Sequence, residues 1–300
     1  MTQPWLDGLL QRLYPPTCVL CGAPGHAGLD LCPGCRADLP HNRHACPRCA
    51  IPVPEDQGTG APCGPCQRHP PPFATSLAAF RYEDPLPALV AGMKFRARFN
   101  LARLLGQCLA LALLEQGAER PELILPVPLH RRRLRERGYN QALEVAREVS
   151  SALAIPIDGA TCIRALHTSA QVGLDDRERR RNVRGAFAVL RPPAARHVAI
   201  LDDVVTTGST VTELARSLRA AGVERVDVWA VARTPCTHER VQPPAQPDRG
   251  VAARTNPTAE RAGLPARELL SGIRALRLPR GPNPPDPGRR SCRPGPGGSR

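Results

Sequence analysis

The hydrophobic pattern between residues 73 and 234 alternates between two kinds of segment. Short apolar runs predict strands, whereas leucine and alanine that recur at helical spacing predict helices. The predicted strands are 76–82, 123–127, 155–162, 185–190, 198–201 and 225–232. The predicted helices lie within 87–115, between an arginine-rich stretch at 131–141 and about residue 152, and at 209–221. Strands that alternate with helices indicate a parallel sheet joined by right-handed crossovers.

One of these strands ends at a group of polar side chains. Residues 198–201 are uniformly apolar, which is typical of a strand buried on both faces of a parallel sheet. Two carboxylates follow, and then a loop of small hydroxyl residues begins a helix, where backbone N–H groups and the helix dipole attract an anion. Open α/β sheets bind ligands at this edge. The residues predicted to form a phosphate and ribose site are Asp202, Asp203, Thr206, Thr207, Gly208, Ser209 and Thr210.

The same stretch permits a simpler interpretation. Thr210 and Glu213 have the spacing of a capping box, which starts a helix without any ligand. The two interpretations are compatible, but a cap alone does not explain the acidic pair before the loop. The loop also lacks the Gly-Lys-Ser/Thr ending of a Walker motif. The residue order resembles the signature of the type I phosphoribosyltransferases. The resemblance implies that the acidic pair holds the ribose hydroxyls, and the threonine loop the 5'-phosphate, of phosphoribosyl pyrophosphate.

Eight of the twelve cysteines form four Cys-x-x-Cys pairs in the first 66 residues. Two intervening residues let both thiolates reach one ion, and structural zinc takes four such ligands in a closed tetrahedron. Eight ligands therefore predict two zinc ions. Pairing successive motifs assigns one ion to Cys18, Cys21, Cys32 and Cys35, and the other to Cys46, Cys49, Cys63 and Cys66. An interleaved pairing is the alternative.

Other uses of these cysteines fit the chain less well. Disulfides are disfavoured because no secretory signal is evident, and a redox dithiol would not need four copies. The nearby histidines, which we expect to be surface residues and not ligands, are His26, His41, His44 and His69. A zinc ribbon can grip nucleic acid or protein. We favour its default role, which is to fold a segment too short to build its own core.

The chain is strongly basic, with a formal net charge of +14 and a single lysine, Lys94, among 41 basic residues. Such an excess favours polyanionic partners without distinguishing nucleic acid from anionic metabolites. Five arginines at 131–137 follow a predicted strand and so share the edge of the acidic pair. We predict that Arg132 and Arg137 bind pyrophosphate; a polybasic nucleic-acid patch and an exposed helix start are the alternatives. For Lys94 a solvated position is favoured over a ligand role.

Composition divides the chain into four segments. Residues 1–17 are a lead-in helix and 18–69 a double zinc ribbon; 73–234 form the α/β domain, after a stiff triple proline. Residues 235–300 are rich in arginine and proline and contain no aromatic side chain, so this tail is predicted to be disordered. No stretch approaches the roughly 18 to 20 apolar residues of a membrane span, and the amino terminus does not read as a signal peptide. We therefore expect a cytoplasmic protein.

Several motifs follow one another in the order of a known family. They are the zinc knuckles, Phe80-Arg-Tyr, Met93-Lys-Phe, Pro126-Val-Pro-Leu-His-Arg, Arg137-Gly-Tyr-Asn-Gln-Ala, Gln171 with Arg180-Arg-Asn-Val-Arg-Gly-Ala-Phe, and the acidic pair with its threonine loop. From about residue 15 to 234 the chain resembles the ComF family of competence proteins. The resemblance implies an α/β fold class: a type I phosphoribosyltransferase-like parallel sheet flanked by helices, preceded by a small cysteine-rich zinc-ribbon module. The phosphoribosyltransferase fold further implies a mobile loop over the basic residues 175–184, for which an exposed helix with i to i+4 ion pairs is the alternative.

Two functions are consistent with this resemblance. The first, which we favour, is a competence protein that binds phosphoribosyl pyrophosphate with Mg²⁺ and handles imported single-stranded DNA in the cytoplasm, beside a helicase and a recombination mediator. The second is an active phosphoribosyltransferase with an unknown acceptor, in which carboxylates stabilise the positive charge on the sugar as pyrophosphate leaves. We rank the competence function first because the sequence contains no signal for an acceptor pocket.

Overall fold

The computed structural model describes residues 15–55, 60–95, 98–166, 181 and 183–235. Most of the predicted lead-in helix, almost all of the tail and most of the predicted mobile loop lie outside these residues. The helices are α1 (Pro33–Ala37), α2 (Gly64–Arg68), α3 (Leu86–Phe95), α4 (Phe99–Glu115), α5 (Arg131–Arg137), α6 (Gln141–Leu153) and α7 (Ser209–Ala220). The strands are β1 (Ser76–Arg81), β2 (Leu123–Pro126), β3 (Cys162–Arg164), β4 (Phe187–Val189), β5 (His197–Val205) and β6 (Arg225–Arg233). Among the described helices, none is both long and apolar enough to cross a membrane.

Four parallel strands form the central sheet in the order β1-β6-β5-β2, which confirms the predicted parallel α/β fold. Residues 198–201 in the middle of β5 have no exposed surface, because helices cover both faces of the sheet. In the strand register, Val205 of β5 pairs with Arg233 of β6, and Leu201 pairs with Pro126 of β2. The carboxyl ends of these strands therefore meet at one edge of the sheet.

The segment 155–162 is not the strand that its apolar character predicted. Ile157 forms only an isolated bridge to β2, and the next strand, β3, begins at residue 162. The reason is a local turn, in which the Asp158 carboxylate accepts hydrogen bonds from the N–H groups of Ala160 and Thr161 at 2.8 and 2.9 Å. The strands β3 and β4 then pair with each other in an antiparallel two-stranded sheet, separate from the central one.

Hydrophobic cores lie on both faces of the central sheet. Helices α3, α4 and α6 pack on one face, and α7 packs on the other together with residues of β3 and β4. The close packing of α4 on α6 depends on Gly106, where a Cβ would lie 2.6 Å from the Cβ of Glu148. A larger residue at this position would force the two helices apart.

The arginine-rich stretch forms its own short helix, α5, and does not run directly into α6. Gly138 ends α5 in the left-handed conformation with φ 83°. Asn140 then caps α6, where its side-chain oxygen accepts a hydrogen bond from the Ala142 N–H at 3.1 Å. The same side chain donates to the Val127 carbonyl at 3.0 Å, which ties the start of α6 to the end of β2.

The cysteine-rich segment packs directly on the sheet, along the outer edge of β1. The Pro40 carbonyl accepts a hydrogen bond from the Arg81 N–H at 2.7 Å, and the Asn42 N–H donates to the Ala79 carbonyl at 3.0 Å. Because an uncovered edge strand can pair with another chain, residues 40–47 protect β1. The ribbon and the sheet are joined by backbone hydrogen bonds as well as by the proline-rich connection.

Candidate functional site

The acidic pair lies within the end of β5, not after it as the sequence suggested. Because successive side chains of a strand point to opposite faces, the two carboxylates have different surroundings. Asp203 is buried, and Asp202 is partly buried. Burial raises the pKa of Asp202 well above its usual range, and the adjacent Asp203 carboxylate raises it further. The pair can accept hydrogen bonds from hydroxyl groups or bind a hard cation.

Lys94, at the carboxyl-terminal end of α3, forms an ion pair with Asp203. Burial alone would lower the pKa of Lys94, but the Asp203 and Asp202 carboxylates raise it above its ordinary value. The ammonium group therefore stays charged beside the acidic pair. The solvated position that the sequence favoured for Lys94 is wrong, because only the folded chain brings α3 against the end of β5.

Arg164 lies near the other carboxylate. It is buried at the end of β3, with its guanidinium carbon 5.6 Å from the centre of the Phe187 ring. Burial lowers the pKa of Arg164 and the positive charge of Arg133 lowers it further, whereas Asp202 raises it. The charges of Arg133 and Asp202 therefore both act on Arg164, one repelling and the other attracting its guanidinium. No sequence motif singled out Arg164, which was predicted to start a polar loop.

The loop after β5 enters α7 through Gly208, the N-cap residue, whose φ of 79° is left-handed. The predicted capping box is wrong, because the helix begins before Thr210 and the Glu213 carboxylate accepts a hydrogen bond from the Gly185 N–H at 2.8 Å. Gly208 has no side chain to cap the helix. The amino end of this twelve-residue helix, with its positive dipole, thus adjoins the loop, as an anion-binding site requires.

Arg233, the buried last residue of β6, supports this loop from behind. Its Nη1 donates to the carbonyls of Val205, at 3.1 Å, and Thr206. Its Nε donates to the Cys49 carbonyl, in the ribbon, at 3.0 Å. Since C=O and N–H point in opposite directions in a trans peptide, fixing the Thr206 carbonyl turns the Thr207 N–H away from Arg233. No motif in the sequence indicated this role.

The end of α3 is fixed by the residues that follow α5. The Tyr139 hydroxyl donates a hydrogen bond to the Met93 carbonyl, next to Lys94. The Tyr139 ring also packs against the Phe99 ring, with 4.9 Å between ring centres. Two motifs that are far apart in the sequence therefore meet beside the acidic pair, and one of them positions the backbone of Lys94.

The arginines predicted to bind pyrophosphate make local contacts. Arg132 Nε donates to Glu136 at 3.0 Å on the exposed side of α5. Arg137 donates to Gln141, and its guanidinium carbon lies 5.5 Å from the centre of the Phe95 ring. Both belong to a helix that starts just beyond β2, so they share the edge of the acidic pair. Their binding of pyrophosphate stays a prediction.

The eight cysteines form two clusters, and in each the four sulfur atoms lie within 4.8 Å of one another. The clusters pair successive motifs: one contains Cys18, Cys21, Cys32 and Cys35, and the other contains Cys46, Cys49, Cys63 and Cys66. Within each cluster, two sulfurs from different motifs lie 3.7 Å apart. Zinc–sulfur bonds of about 2.3 Å in a tetrahedron require about 3.8 Å. Both clusters thus fit structural zinc, and neither contains a histidine.

One thiol of the first cluster is already acidic. Burial opposes ionisation of Cys18, but hydrogen bonds from the backbone N–H groups of Cys32, Cys21 and Leu20 lower its pKa to about 6. Such N–H groups stabilise a thiolate, which is the form that binds a metal. The turn itself is closed by the Gly22 N–H, which donates to the Cys18 carbonyl at 2.9 Å.

Comparison with known proteins agrees with both parts of the chain. The model of the double zinc ribbon domain family matches residues 9–67. DNA utilization protein YhgH of Escherichia coli is 36% identical over 227 residues, which span 73% of this chain and 98% of that protein. Competence protein F of Haemophilus influenzae is 35% identical over 226 residues, which span 72% and 96%. The chain belongs to the competence protein F family.

This member of the competence protein F family also has a weak match to a solved structure. A crystal structure of a Thermus thermophilus protein aligns with 46% of the chain and 85% of its own length, at 22% identity and a TM-score of 0.27. The family relationship therefore rests on the sequence relatives, and the chemistry of this member rests on its own residues.

Proposed function

We propose that this competence protein F family member binds phosphoribosyl pyrophosphate with Mg²⁺ at the carboxyl edge of its sheet, and that it handles single-stranded DNA during uptake. The ligand assignment is supported by the acidic pair at the end of β5 and by the loop after it, which enters α7 through Gly208. The names of the relatives, DNA utilization protein and competence protein, support the DNA context.

Each part of the proposed site matches one part of the ligand. Asp202 and Asp203 would accept hydrogen bonds from the two ribose hydroxyls. The loop from Thr206 to Thr210 and the amino end of α7 would hold the 5'-phosphate. Pyrophosphate, with its Mg²⁺, would lie toward Lys94, Arg133 and Arg164, whose charges act on the acidic pair or on each other. Arg132 and Arg137 of α5 would bind it from the same edge of the sheet. Arginine suits this task because its fork of N–H groups binds phosphate oxygens bidentately.

The two cysteine clusters would hold one structural Zn²⁺ each. Their closed sets of four thiolates leave no open position of the kind a catalytic zinc requires. Zinc would hold the ribbon against β1 and so keep the edge of the sheet covered. This role agrees with the family match to a double zinc ribbon domain.

Calorimetric titration with phosphoribosyl pyrophosphate and Mg²⁺ tests the ligand. We expect binding by the wild type and none by the double variant Asp202→Asn with Asp203→Asn. Neutral amides lack the negative charge that would hold the ribose hydroxyls and attract Mg²⁺. A matched control is Asp38→Asn with Asp84→Asn, which removes two exposed carboxylates elsewhere. Zinc content and melting temperature show that each variant is folded. Equal binding by the wild type and the double variant would contradict the site.

Single-stranded DNA binding is tested separately by fluorescence anisotropy with a labelled oligonucleotide. Affinity should fall steeply as salt rises, because arginine–phosphate contacts release counterions. Neutralising the arginines at 131–137 should weaken binding and flatten its salt dependence. A competence helicase and a recombination mediator are the proposed protein partners. These partners would be supported if each co-purifies with the wild type. Co-purification should be lost when the contacts between the ribbon and the sheet are removed by mutation.

Catalysed transfer of the phosphoribosyl group is a second candidate. It is favoured by the opposed charges around the acidic pair, with carboxylates for the sugar and cations for the leaving pyrophosphate. Incubation with labelled phosphoribosyl pyrophosphate, Mg²⁺ and candidate acceptors would detect it as release of pyrophosphate. Release that depends on both an acceptor and Asp202 supports an enzyme, whereas binding without release supports the first proposal alone.

A further inference from the structure

Two phenylalanine rings are exposed beside the candidate site. Phe95, the last residue of α3, is 77% exposed, and Phe99, the first residue of α4, is 53% exposed. In the described part of the chain, these are the only aromatic side chains among the exposed large hydrophobic residues. The chain contains only five phenylalanines. Leaving two of them in water forgoes the stabilisation that their burial would give, so the exposure requires a reason.

Both rings are held by neighbours. The guanidinium of Arg137 lies over the Phe95 ring, 5.5 Å from its centre. Because Phe95 is 77% exposed, most of its surface remains open to solvent despite this contact. The Phe99 ring packs on Tyr139, which is itself fixed by its hydrogen bond to the Met93 carbonyl. Rings that are held in place lose less conformational entropy when a ligand binds.

The surroundings of the two rings are strongly positive. Helix α5 carries five arginines and one glutamate in seven residues, and its last arginine is the one that stacks on Phe95. Arg98 precedes α4 directly. A partner that suits this surface must combine negative charge with flat apolar groups. Single-stranded nucleic acid has both, because its phosphates are anionic and each base has a π-face.

We propose that Phe95 and Phe99 stack with bases of single-stranded nucleic acid while the arginines of α5 hold its backbone. The inference rests on the proposed handling of single-stranded DNA and assigns it a surface. This surface is on the sheet domain, beside the acidic pair, and is separate from the zinc ribbon. Lys94 links the two sites, because it neighbours Phe95 in the sequence and pairs with Asp203.

The test compares two labelled ligands with equal backbones, an oligothymidylate and an abasic oligomer of the same length. We expect the wild type to prefer the strand with bases. The double variant Phe95→Ala with Phe99→Ala should bind oligothymidylate at least about fivefold more weakly, the effect of losing about one stacked base. Its affinity for the abasic strand should not change. Phe95→Ala alone should give part of the loss, and it keeps the contact of Phe99 with Tyr139.

The controls separate stacking from charge and from folding. Leu190→Ala removes a side chain that is 62% exposed elsewhere, and it should bind both strands like the wild type. Phe95→Trp should keep or strengthen the preference for bases. Because the phosphate contacts remain, the double variant should retain the salt dependence of the wild type, unlike variants of the arginines in α5.

Two results would overturn the inference. One is equal binding of the base-containing and abasic strands by the wild type. The other is wild-type affinity for oligothymidylate in the double variant, which would leave single-strand binding intact and free the rings for another partner, such as a protein. If the wild type bound neither strand, the DNA part of the proposed function would be contradicted as well. Phosphoribosyl pyrophosphate binding is measured separately, so it tests the other part of that function.

Discussion

The ammonium group of Lys94 and the carboxylate of Asp203 form an ion pair between the end of α3 and the end of β5. Asp203 is almost inaccessible to solvent, and most of Lys94 is covered as well. The pair joins α3, which packs on one face of the sheet, to β5, one of the two inner strands. It also brings Phe95, the residue after Lys94, to the edge at which we propose that ligands bind.

Replacing Lys94 by methionine should destabilise the protein by about 3–5 kcal/mol at neutral pH, because it leaves a buried carboxylate without its cation. The raised pKa of Lys94 gives the pH range. A cation whose pKa is raised by folding contributes its full stability below the ordinary lysine value, and that stability is lost only as pH rises through the raised value. The difference between variant and wild type should thus persist across neutral pH. Urea unfolding measures it.

Arg81→Met is a matched control for that variant, since Arg81 pairs with Glu83 in an ion pair that is about half exposed. We expect it to cost about 1 kcal/mol or less, as for most surface pairs. If Lys94→Met were as mild as Arg81→Met, the buried pair would not stabilise the fold.

Replacing Asp202 by asparagine should change how stability depends on pH. Folding raises the pKa of Asp202, chiefly by burial. The folded chain therefore holds this proton at pH values where the unfolded chain has released it. The resulting stability is fully present below the ordinary aspartate pKa of about 3.9 and is lost as pH rises through the raised value. Asp202→Asn removes this loss.

Urea midpoints across acid and neutral pH should then show a flatter profile for Asp202→Asn than for the wild type. At the same time the variant should bind phosphoribosyl pyrophosphate at least about tenfold more weakly, because a carboxylate has been lost from the site. Asp38→Asn, on the surface, should change neither the pH profile of the urea midpoint nor the affinity for phosphoribosyl pyrophosphate. Parallel pH profiles for Asp202→Asn and the wild type would show that Asp202 titrates normally.

Replacing Arg233 by methionine should loosen the loop between β5 and α7. The variant loses hydrogen bonds from a buried guanidinium to carbonyls of the loop and of the ribbon. Bonds to a charged group are worth about 1.5–3 kcal/mol each, so we expect destabilisation of at least about 2 kcal/mol. Hydrogen exchange at residues 205–210 should accelerate, and affinity for phosphoribosyl pyrophosphate should fall.

Arg219→Met provides the comparison for Arg233→Met. Arg219 also donates to backbone carbonyls, those of Val223 and Glu224, but at the start of β6 and so at the opposite edge of the sheet. It should leave exchange of the loop and ligand affinity as in the wild type. Equal effects of the two variants on the loop would mean that Arg233 acts only through general stability.

Removing zinc should make the protein self-associate. Residues 40–47 cover the outer edge of β1, and loss of metal should release them together with the ribbon. Light scattering after chelation should detect larger species, which added Zn²⁺ reverses. Cys66→Ser should reduce the zinc content to about one ion per chain, whereas Cys108→Ser, in a buried cysteine outside the clusters, should not. A chelated protein that stays monomeric would contradict this role of the ribbon.

Much of the fold follows from local patterns in the sequence. The apolar run at 198–201 indicated a buried parallel strand, because a strand covered on both faces has apolar side chains at every position. The Cys-x-x-Cys motifs predicted two zinc sites but left two pairings open, and the folded chain selects the pairing of successive motifs. The acidic pair and the glycine before α7 also lie in one short stretch. Physical constraints of this kind act over a few neighbouring residues, so they can be recognised in the sequence.

The tertiary structure decided what depends on contacts between distant residues. Lys94 reaches Asp203 only because α3 packs on the face of the sheet to which Asp203 points. Arg233 meets both the loop and Cys49 because β6 ends beside β5 and the ribbon packs against the sheet. Apolar character alone predicted a strand at 155–162, but the Asp158 turn prevented it. Local propensity fixes the elements; packing decides which side chains share a site.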